Sequence, residues 1–264
     1  MADQSVIAVV VTYRRGDLLR GAVDRILTQT RPPERVLVID NGGIARRELG
    51  ERDVDVIEAN ENLGPAGGYA RGFREALERG ATHVWAVDDD NEPAADCLER
   101  LLAAGADVAV PFQRKPSGPV GYPPSWNGPL FSAEAIRAVG FPREDLWFWA
   151  EDTEYVTRLR LAGHRRTPVA GAEVLHLNPG ARERGRPRDW QLYYEVRNTL
   201  EYRLRIRVTP RGLWRALGVV VGKPIAIVVT EPGKRRSLGL WWRGIRDFSS
   251  HRMGRQVNPE NWGS

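Results

Sequence analysis

Cysteine is almost missing from this chain: Cys97 is the single one in 264 residues. That excludes an internal disulfide and fits a reducing cytoplasm. Cys97 itself reads as a half-buried helix residue rather than a catalytic thiol. No secretory leader is expected either. MADQSVIAVVVTY enters an apolar run directly, with no basic n-region and no small-residue cleavage site, so no signal peptide is expected. Long hydrophobic runs are scarce. The longest later one, LGVVVGKPIAIVVT from Leu217 to Thr230, is shorter than a bilayer span and is interrupted by Lys223 and Pro224. An integral membrane protein is therefore not expected. Internal repeats and low-complexity tracts are absent as well.

What is present is an unevenly distributed charge. The net charge is +5, and arginine and lysine crowd the last third in RERGRPR, YRLRIR, GKRR and WWRGIR. Such a basic C-terminal part suits an anionic partner, whether phospholipid, diphosphate or nucleic acid, or else is a solvated face.

The front of the chain alternates strands and helices. SVIAVVVTY is β-branched and continuously apolar, as in a strand buried on both faces of a parallel sheet. GDLLRGAVDRILTQT then places Leu18, Leu19, Ala22, Val23, Ile26 and Leu27 on one helical face. Strands over VLVID, VDVIEA, HVWAVDDD and DVAVPF follow, separated by the helices YARGFREALERG and PAADCLERLLAAG. The pattern predicts a doubly wound, Rossmann-like, mostly parallel α/β sheet, in which ligands bind at the carboxyl ends of the strands. Three polar clusters fall at such ends: Thr12-Tyr13-Arg14, Asp40-Asn41 and Asp88-Asp89-Asp90. Beyond Pro111, QRKPSGPVGYPPS reads as loop, WNGPLFS as a strand, AEAIRAVG as a short helix, LWFWAEDTEYVTRLRLAGH as an aromatic segment entering a helix, and GAEVLHLNPG as a strand carrying His176. DWQLYYEVRNTLEYRLRIR is helical, and Trp214 to Ile227 predicts one or two further helices. The chain is expected to divide into an α/β domain over 1–200, which would carry any chemistry, and a basic, aromatic-rich helical extension over 201–264.

Three adjacent aspartates repel one another unless a cation sits among them, and Mg2+ or Mn2+ prefers such oxygen ligands together with substrate phosphates. Alternation along an extended chain lets Asp88 and Asp90 face one ion, with Asp89 turned the other way toward a ribose hydroxyl or a backbone amide. An acidic loop capping the following helix is the other explanation. In NENLGPAGG, Asn62 and Gly64 precede a glycine-rich turn that allows close backbone approach to a ligand at a helix start. In FWAEDTEY, Glu151 and Asp152 open a helix after Trp149, either as dipole-favourable caps or with one acting as a base beside an aromatic sugar platform. His176 is either a structural histidine or a third ligand beside the aspartates.

Taken together, VVVTYRR, QTRPPERVLVIDNG, NENLGPAGGYARGF, WAVDDDNEP, WNGPLFSAEAI, FWAEDTEYVTRLRLAG and VLHLNP resemble family 2 glycosyltransferases of the GT-A fold. The resemblance runs over roughly residues 5 to 200 and is closest to the bacterial galactofuranosyl- and rhamnosyltransferase branch of cell-surface glycan (cell wall) synthesis. It implies an inverting, metal-dependent hexosyltransferase using a UDP- or dTDP-linked sugar donor and a glycan or polyprenyl-diphosphate-linked acceptor. It implies that Asp88, Asp90 and His176 hold Mg2+ or Mn2+, and that Asp152 is the base. Thr12, Tyr13, Arg14, Asp40, Asn62, Gly64, Asp88 and Asp89 would line the donor, and Trp126, Asn127, Trp149 and Glu151 the acceptor. The Glu151-Asp152 pair stands where that branch commonly has two aspartates. A cytoplasmic protein, peripheral on the inner face of an anionic plasma membrane through its basic tail, is expected; homo-oligomerisation stays open. A sugar-nucleotide-forming nucleotidyltransferase is the competing enzyme class. It would want a basic, glycine-rich triphosphate cradle near the N-terminus, of which VTYRRGD is a poor version. Nucleic-acid binding is not expected, because a carboxylate-lined edge repels phosphate.

Overall fold

The computed structural model describes residues 4–177, 189–231 and 233–259. Two compact units emerge. The first comprises residues up to Pro142 together with Tyr155–Pro179, and the second Arg143–Glu154 with the chain from Gly180. The boundary expected at residue 200 is thus displaced. The aromatic loop before Glu151 and helix Asp189–Glu201 belong with the C-terminal helices, because their apolar side chains share one core with them.

The first unit is built on a nine-stranded sheet: β1 (Val6–Thr12), β2 (Arg35–Asp40), β3 (Asp55–Glu58), β4 (His83–Asp88), β5 (Asn91–Pro93), β6 (Val108–Lys115), β7 (Gly118–Gly121), β8 (Leu130–Ser132) and β9 (Arg166–His176). Their spatial order is β3-β2-β1-β4-β8-β6-β9-β5, with β7 paired to β6. The pairs β3-β2, β2-β1, β1-β4 and β6-β9 are parallel, and β8 joins the halves antiparallel to both β4 and β6. Every residue of β1 is buried, as its unbroken apolar run requires. Val6, Ala8 and Val10 pack with Leu19, Val23 and Ile26 of helix α1 (Gly16–Leu27). Ile7, Val9 and Val11 pack with Tyr69, Phe73 and Ala76 of helix α3 (Gly64–Glu78) on the opposite face. Short helix α2 (Ala45–Leu49) and helix α4 (Cys97–Ala103) join the α1 side, and helix α5 (Ala133–Val139) the α3 side. This is the doubly wound arrangement the alternation predicted.

Two α3 glycines admit the sheet: a Cβ on Gly68 or Gly72 would collide with the side chains of Val11 and Val9. Three local expectations change. QRKPSGPVGYPPS is no simple loop, since β6 continues to Lys115 and returns through β7. The three-residue β5, with a proline at its end, carries no local strand signal, yet it pairs antiparallel with β9. WNGPLFS contributes strand only from Leu130.

The second unit is helical. Its helices are α7 (Asp189–Glu201), α8 (Pro210–Leu217), α9 (Lys223–Thr230) and α10 (Lys234–Ser249), while helix α6 (Glu151–Leu161) begins in it and continues into the first unit. α10 packs on α7 at close range: a Cβ on Gly244 would press on Val196 and the Tyr193 carbonyl. Tyr193 also donates to buried Asp247 over 2.9 Å.

Here the sequence expectation of a broken, short apolar segment is overturned. Pro210–Thr230 is one helical run of 21 residues, about 31 Å at 1.5 Å per residue, and is long and apolar enough to cross a membrane. A wide π turn over Gly218–Gly222 closes with the Lys223 N–H donating to the Gly218 carbonyl, and Pro224 follows within the first turn of α9. The carbonyl of Val219 accepts the Trp241 indole N–H over 2.8 Å. Proline's missing donor is thereby tolerated without ending the helix.

Candidate active site

β4 ends at Asp88, and Asp89 and Asp90 form the turn into β5. The turn cancels the simple alternation expected along the triplet. Asp88 accepts the Tyr69 hydroxyl over 2.7 Å. Asp89 and Asp90 both face Arg15: its guanidinium reaches Asp90 Oδ2 at 2.8 Å and grips both oxygens of Asp89. Thr12, the last residue of β1, donates to Asp89 over 2.8 Å. Arg15, which the sequence reading did not single out, thus pairs with the aspartates at this edge. Arg14 adopts φ 56°, which turns its side chain out over the Tyr13 ring.

The β5-β9 ladder brings a distant residue to this edge. Asn91 stands opposite His176, and the Leu177 N–H donates to the Asp90 carbonyl over 2.9 Å. His176 Nε2 lies 3.4 Å from Asp90 Oδ1, while its Nδ1 is 3.2 Å from the Asn127 amide. Asn127 also donates to Gln113 over 3.0 Å. Asn127, 5% exposed, therefore holds the histidine ring from behind instead of facing an acceptor. Its buried Oδ1 has no hydrogen-bond partner. If the Asn127 and Gln113 amides turned together, Asn127 Oδ1 would accept from both Gln113 and His176 Nδ1–H, leaving Nε2 as a lone pair, the state a metal ligand needs. Trp126 is likewise not acceptor-facing: it is buried in the core, stacked on Tyr69 with ring centroids 4.5 Å apart.

Other expected donor residues have internal partners. Asp40 is buried and accepts the backbone N–H groups of Gly42, Gly43 and Ala45, so it shapes the loop after β2. Asn62 accepts the Gly64 N–H over 2.9 Å, and Asn41 ties the same turn to β2 through the Leu63 N–H and the Gly64 carbonyl. Gly64 itself sits at φ 67°, the left-handed conformation glycine tolerates.

Burial and repulsion from Asp90 push the Asp88 carboxyl up to about 6, against help from Tyr69, His176 and Arg15. Burial also opposes ionisation of Asp90, but His176 and Arg15 outweigh it and hold Asp90 below the usual carboxylate range. A half-buried and a buried carboxylate, Asp88 and Asp90, in mutual repulsion beside an imidazole are a donor set that suits a divalent cation accepting oxygen and nitrogen ligands. No group of three or more His, Cys, Asp or Glu gathers into a metal centre among the described residues. A cation held here would draw its remaining ligands from substrate phosphate and water, the usual habit of Mg2+.

The second unit contains its own cavity, of about 340 Å³, lined by Phe148, Trp149, Ala150, Glu151, Asp152, Thr153, Thr199, Tyr202 and Arg203. The loop entering it is strained: Trp147, Trp149 and Ala150 lie at φ 60°, 75° and 68°. Non-glycine residues held there cost about 1–3 kcal/mol each and need support. Asn198 supplies it, donating to the carbonyls of Leu146, Phe148 and Trp149 at 2.8, 2.7 and 3.0 Å. Arg197 adds a bond to Leu146 at 3.0 Å. Neither buried residue was singled out from the sequence, where they are merely two polar positions in a helix. Asp152 and Glu151 open α6 at this cavity, and Trp149 is 42% exposed beside them. Asp88, Asp90 and His176 belong to the first unit; Glu151, Asp152 and Trp149 to the second.

Comparisons with known proteins point one way. Residues 7–141 match the family model described as glycosyl transferase family 2. The galactofuranosyltransferase GlfT1 of Mycolicibacterium smegmatis is 32% identical over 212 residues, covering 65% of this chain and 70% of that protein. Among solved structures, S. aureus TarS 1–349 in complex with UDP-GlcNAc superposes with a TM-score of 0.63 at 14% identity, over 92% of this chain and 80% of that one. The chain spans about half, 49%, of the longer TarS structure. The mannosyltransferase PcManGT from Pyrobaculum calidifontis, in complex with GDP-Man and Mn2+, gives a TM-score of 0.56 at 16% identity, over 93% and 75%. At such identities the solved structures speak for the fold, which is the GT-A arrangement.

Proposed function

The chain belongs to glycosyl transferase family 2 and is a glycosyltransferase, and on that footing we propose that it transfers a sugar of the galactofuranose or rhamnose class, with inversion, from a nucleoside-diphosphate donor to a glycan or lipid-linked acceptor of the cell surface. The observation that carries the reading is the carboxylate edge itself. Asp88 ends β4 and Asp90, in the turn that follows, lies beside His176, at the carboxyl ends of parallel strands where ligands bind in such sheets. Asp88, Asp90 and His176 would hold a Mg2+ or Mn2+ ion, with Asn127 orienting the imidazole. When bound, such an ion supplies charge neutralisation on the departing diphosphate.

The acceptor hydroxyl oxygen forms the new bond to the anomeric carbon, the bond from that carbon to the diphosphate oxygen breaks, and the hydroxyl proton passes to the Asp152 carboxylate. Arg15, half-exposed beside Asp89 and Asp90, is placed to exchange its carboxylates for donor phosphate. Trp149 offers an exposed ring to an acceptor sugar. The GlfT1 relative supports a galactofuranosyl donor, and the Mn2+ in the PcManGT structure supports a divalent ion. The nucleotidyltransferase alternative gains no support from the glycines of α3, which pack against β1.

The test is donor turnover by the purified full chain with a panel of UDP-, dTDP- and GDP-sugars, with and without chelator. Metal-dependent release of nucleoside diphosphate from one donor is expected. Turnover untouched by chelator and by Asp88→Ala would sink the metal assignment, and triphosphate consumption with pyrophosphate release would move the enzyme to the other class.

A further inference from the structure

The helix Pro210–Thr230 has one face packed in the protein and one that is exposed among the described residues. On the inner face Gly212, Ala216 and Ile227 are buried, Lys223 pairs with Glu195, and the Val219 carbonyl takes the Trp241 indole. On the outer face, every exposed residue from Leu217 to Val229 is apolar or glycine: Leu217, Val220, Val221, Ile225, Val228 and Val229 stand out, with Ile225 60% and Val229 74% exposed. Such a contiguous apolar strip marks an interaction surface rather than ordinary exposure.

Charge says what fits it. Between Arg207 and Ser249 the chain carries nine basic residues and two acids, Glu231 and Asp247. Asp247 is buried, and Glu231 accepts the Ser237 hydroxyl. Among the described residues, Arg207, Arg211 and Arg215 at the start of the helix make no ion pair, and Lys234, Arg235 and Arg236 lie exposed just past its end. Trp214, at the cationic start, is 73% exposed, and Trp242 on α10 is 60% exposed. An apolar strip with cations at both ends and accompanying tryptophans matches the section of a bilayer at its headgroup boundary. A protein partner of ordinary interface composition would ask for no such cationic ends.

We propose that the outer face of Pro210–Thr230 lies in the plane of an anionic phospholipid leaflet, its strip from Leu217 to Val229 in the acyl boundary and Arg207, Arg211, Arg215 and Lys234–Arg236 among the headgroups. The length of the helix would also allow spanning, but spanning would strip away the Lys223–Glu195 pair and the contacts of Gly212, Ala216 and Ile227. In-plane insertion keeps them all. The docking element is therefore this helix. The segment after residue 231 contributes its cations, while α10 is largely committed to α7 through buried Ser237, Leu240, Gly244 and Asp247. The inference does not rest on glycosyl transfer.

Flotation of the full chain with phosphatidylglycerol-containing vesicles, against pure phosphatidylcholine ones, tests it. Binding to the anionic vesicles is expected, weakening with salt. The double variant V221E/I225E, altered only at exposed positions, should bind at least tenfold less while keeping its circular dichroism spectrum and its turnover of donor in solution. R211Q/R215Q should lose most of the salt-sensitive part. Brominated acyl chains should quench wild type more than W214F. Wild-type binding that V221E/I225E leaves unchanged overturns the proposal. So does a vesicle-indifferent dimer that V221E/I225E converts to monomer, which would give the face to a second copy of the chain.

Discussion

Asn198→Ala should disable the loop that presents Glu151 and Asp152. In the native protein its amide donates to three carbonyls of that loop, those of Leu146, Phe148 and Trp149. Arg197 would still satisfy Leu146, so of the three carbonyls that lose the Asn198 donor, those of Phe148 and Trp149 lose this support altogether. At about 1–3 kcal/mol for each acceptor left without a partner, the loss is roughly 2–6 kcal/mol, less whatever water recovers. The three left-handed residues then relax, because their strain no longer has an opposing bond network. For a chain of this size each kcal/mol lowers Tm by about 2–4 °C, so thermal unfolding should fall by roughly 4–24 °C. Misplacing a catalytic carboxylate by about an ångström costs on the order of 10²-fold in rate, so sugar transfer should drop by that order even well below Tm. Asn198→Asp is the sharper probe. It keeps the shape and the bond from Arg197 Nε to the Oδ1 position, but turns a second oxygen toward the same carbonyls. Scanning calorimetry and initial transfer rates at 20 °C give both readouts. An Asn198→Ala protein with Tm within 1–2 °C of wild type and an unchanged rate would refute the loop's dependence on this residue.

Further outcomes concern the carboxylate edge and its support. Asp152→Asn should keep donor binding and lose about 10²–10⁴-fold in transfer rate; lost donor affinity, read by calorimetric titration, would instead make Asp152 a ligand or structural. Asp88, raised to about 6, is protonated in the folded protein where its unfolded counterpart is ionised, so in the metal-free protein its contribution to stability declines as pH rises from about 4 through 6. A cation needs the ionised form, so the Tm gain from Mn2+ should grow across pH 5 to 7 and vanish in Asp88→Asn; a gain independent of pH contradicts the assignment. Gly72→Ala should destabilise by about 1–3 kcal/mol through overpacking against Val9, offset in part by helix propensity, and urea denaturation at or above wild-type midpoint would mean that α3 and β1 shift apart freely.

The alternation of strands and helices, the fully buried β1 and the acidic end of β4 were legible because each depends on local pattern. An unbroken β-branched run has few alternatives to a two-sided strand, and three aspartates cannot continue it. Family motifs carried the rest of the nomination, including His176 and Asp152, from residues alone. Assigning partners was beyond such reading. That Arg15 pairs with the aspartates has no sequence signature, and Trp126 looks the same in sequence whether it stacks on Tyr69 in the core or faces a sugar.

By itself, then, the sequence determined the sheet class, the strand ends that carry polar residues and the chemistry available there, since hydrophobic period and side-chain type are local properties of the chain. Only the tertiary structure decided which of those groups meet. The β5-β9 register sets His176 beside Asp90, and Asn127 stands behind the ring. Asn198 holds the loop before Asp152 through carbonyls that have no sequence signature. A π turn and a tryptophan donor from another helix make one continuous helix out of a segment that lysine and proline would otherwise break. Those outcomes depend on hydrogen-bond partners distant in the chain, whose positions follow from packing and not from any neighbouring residue.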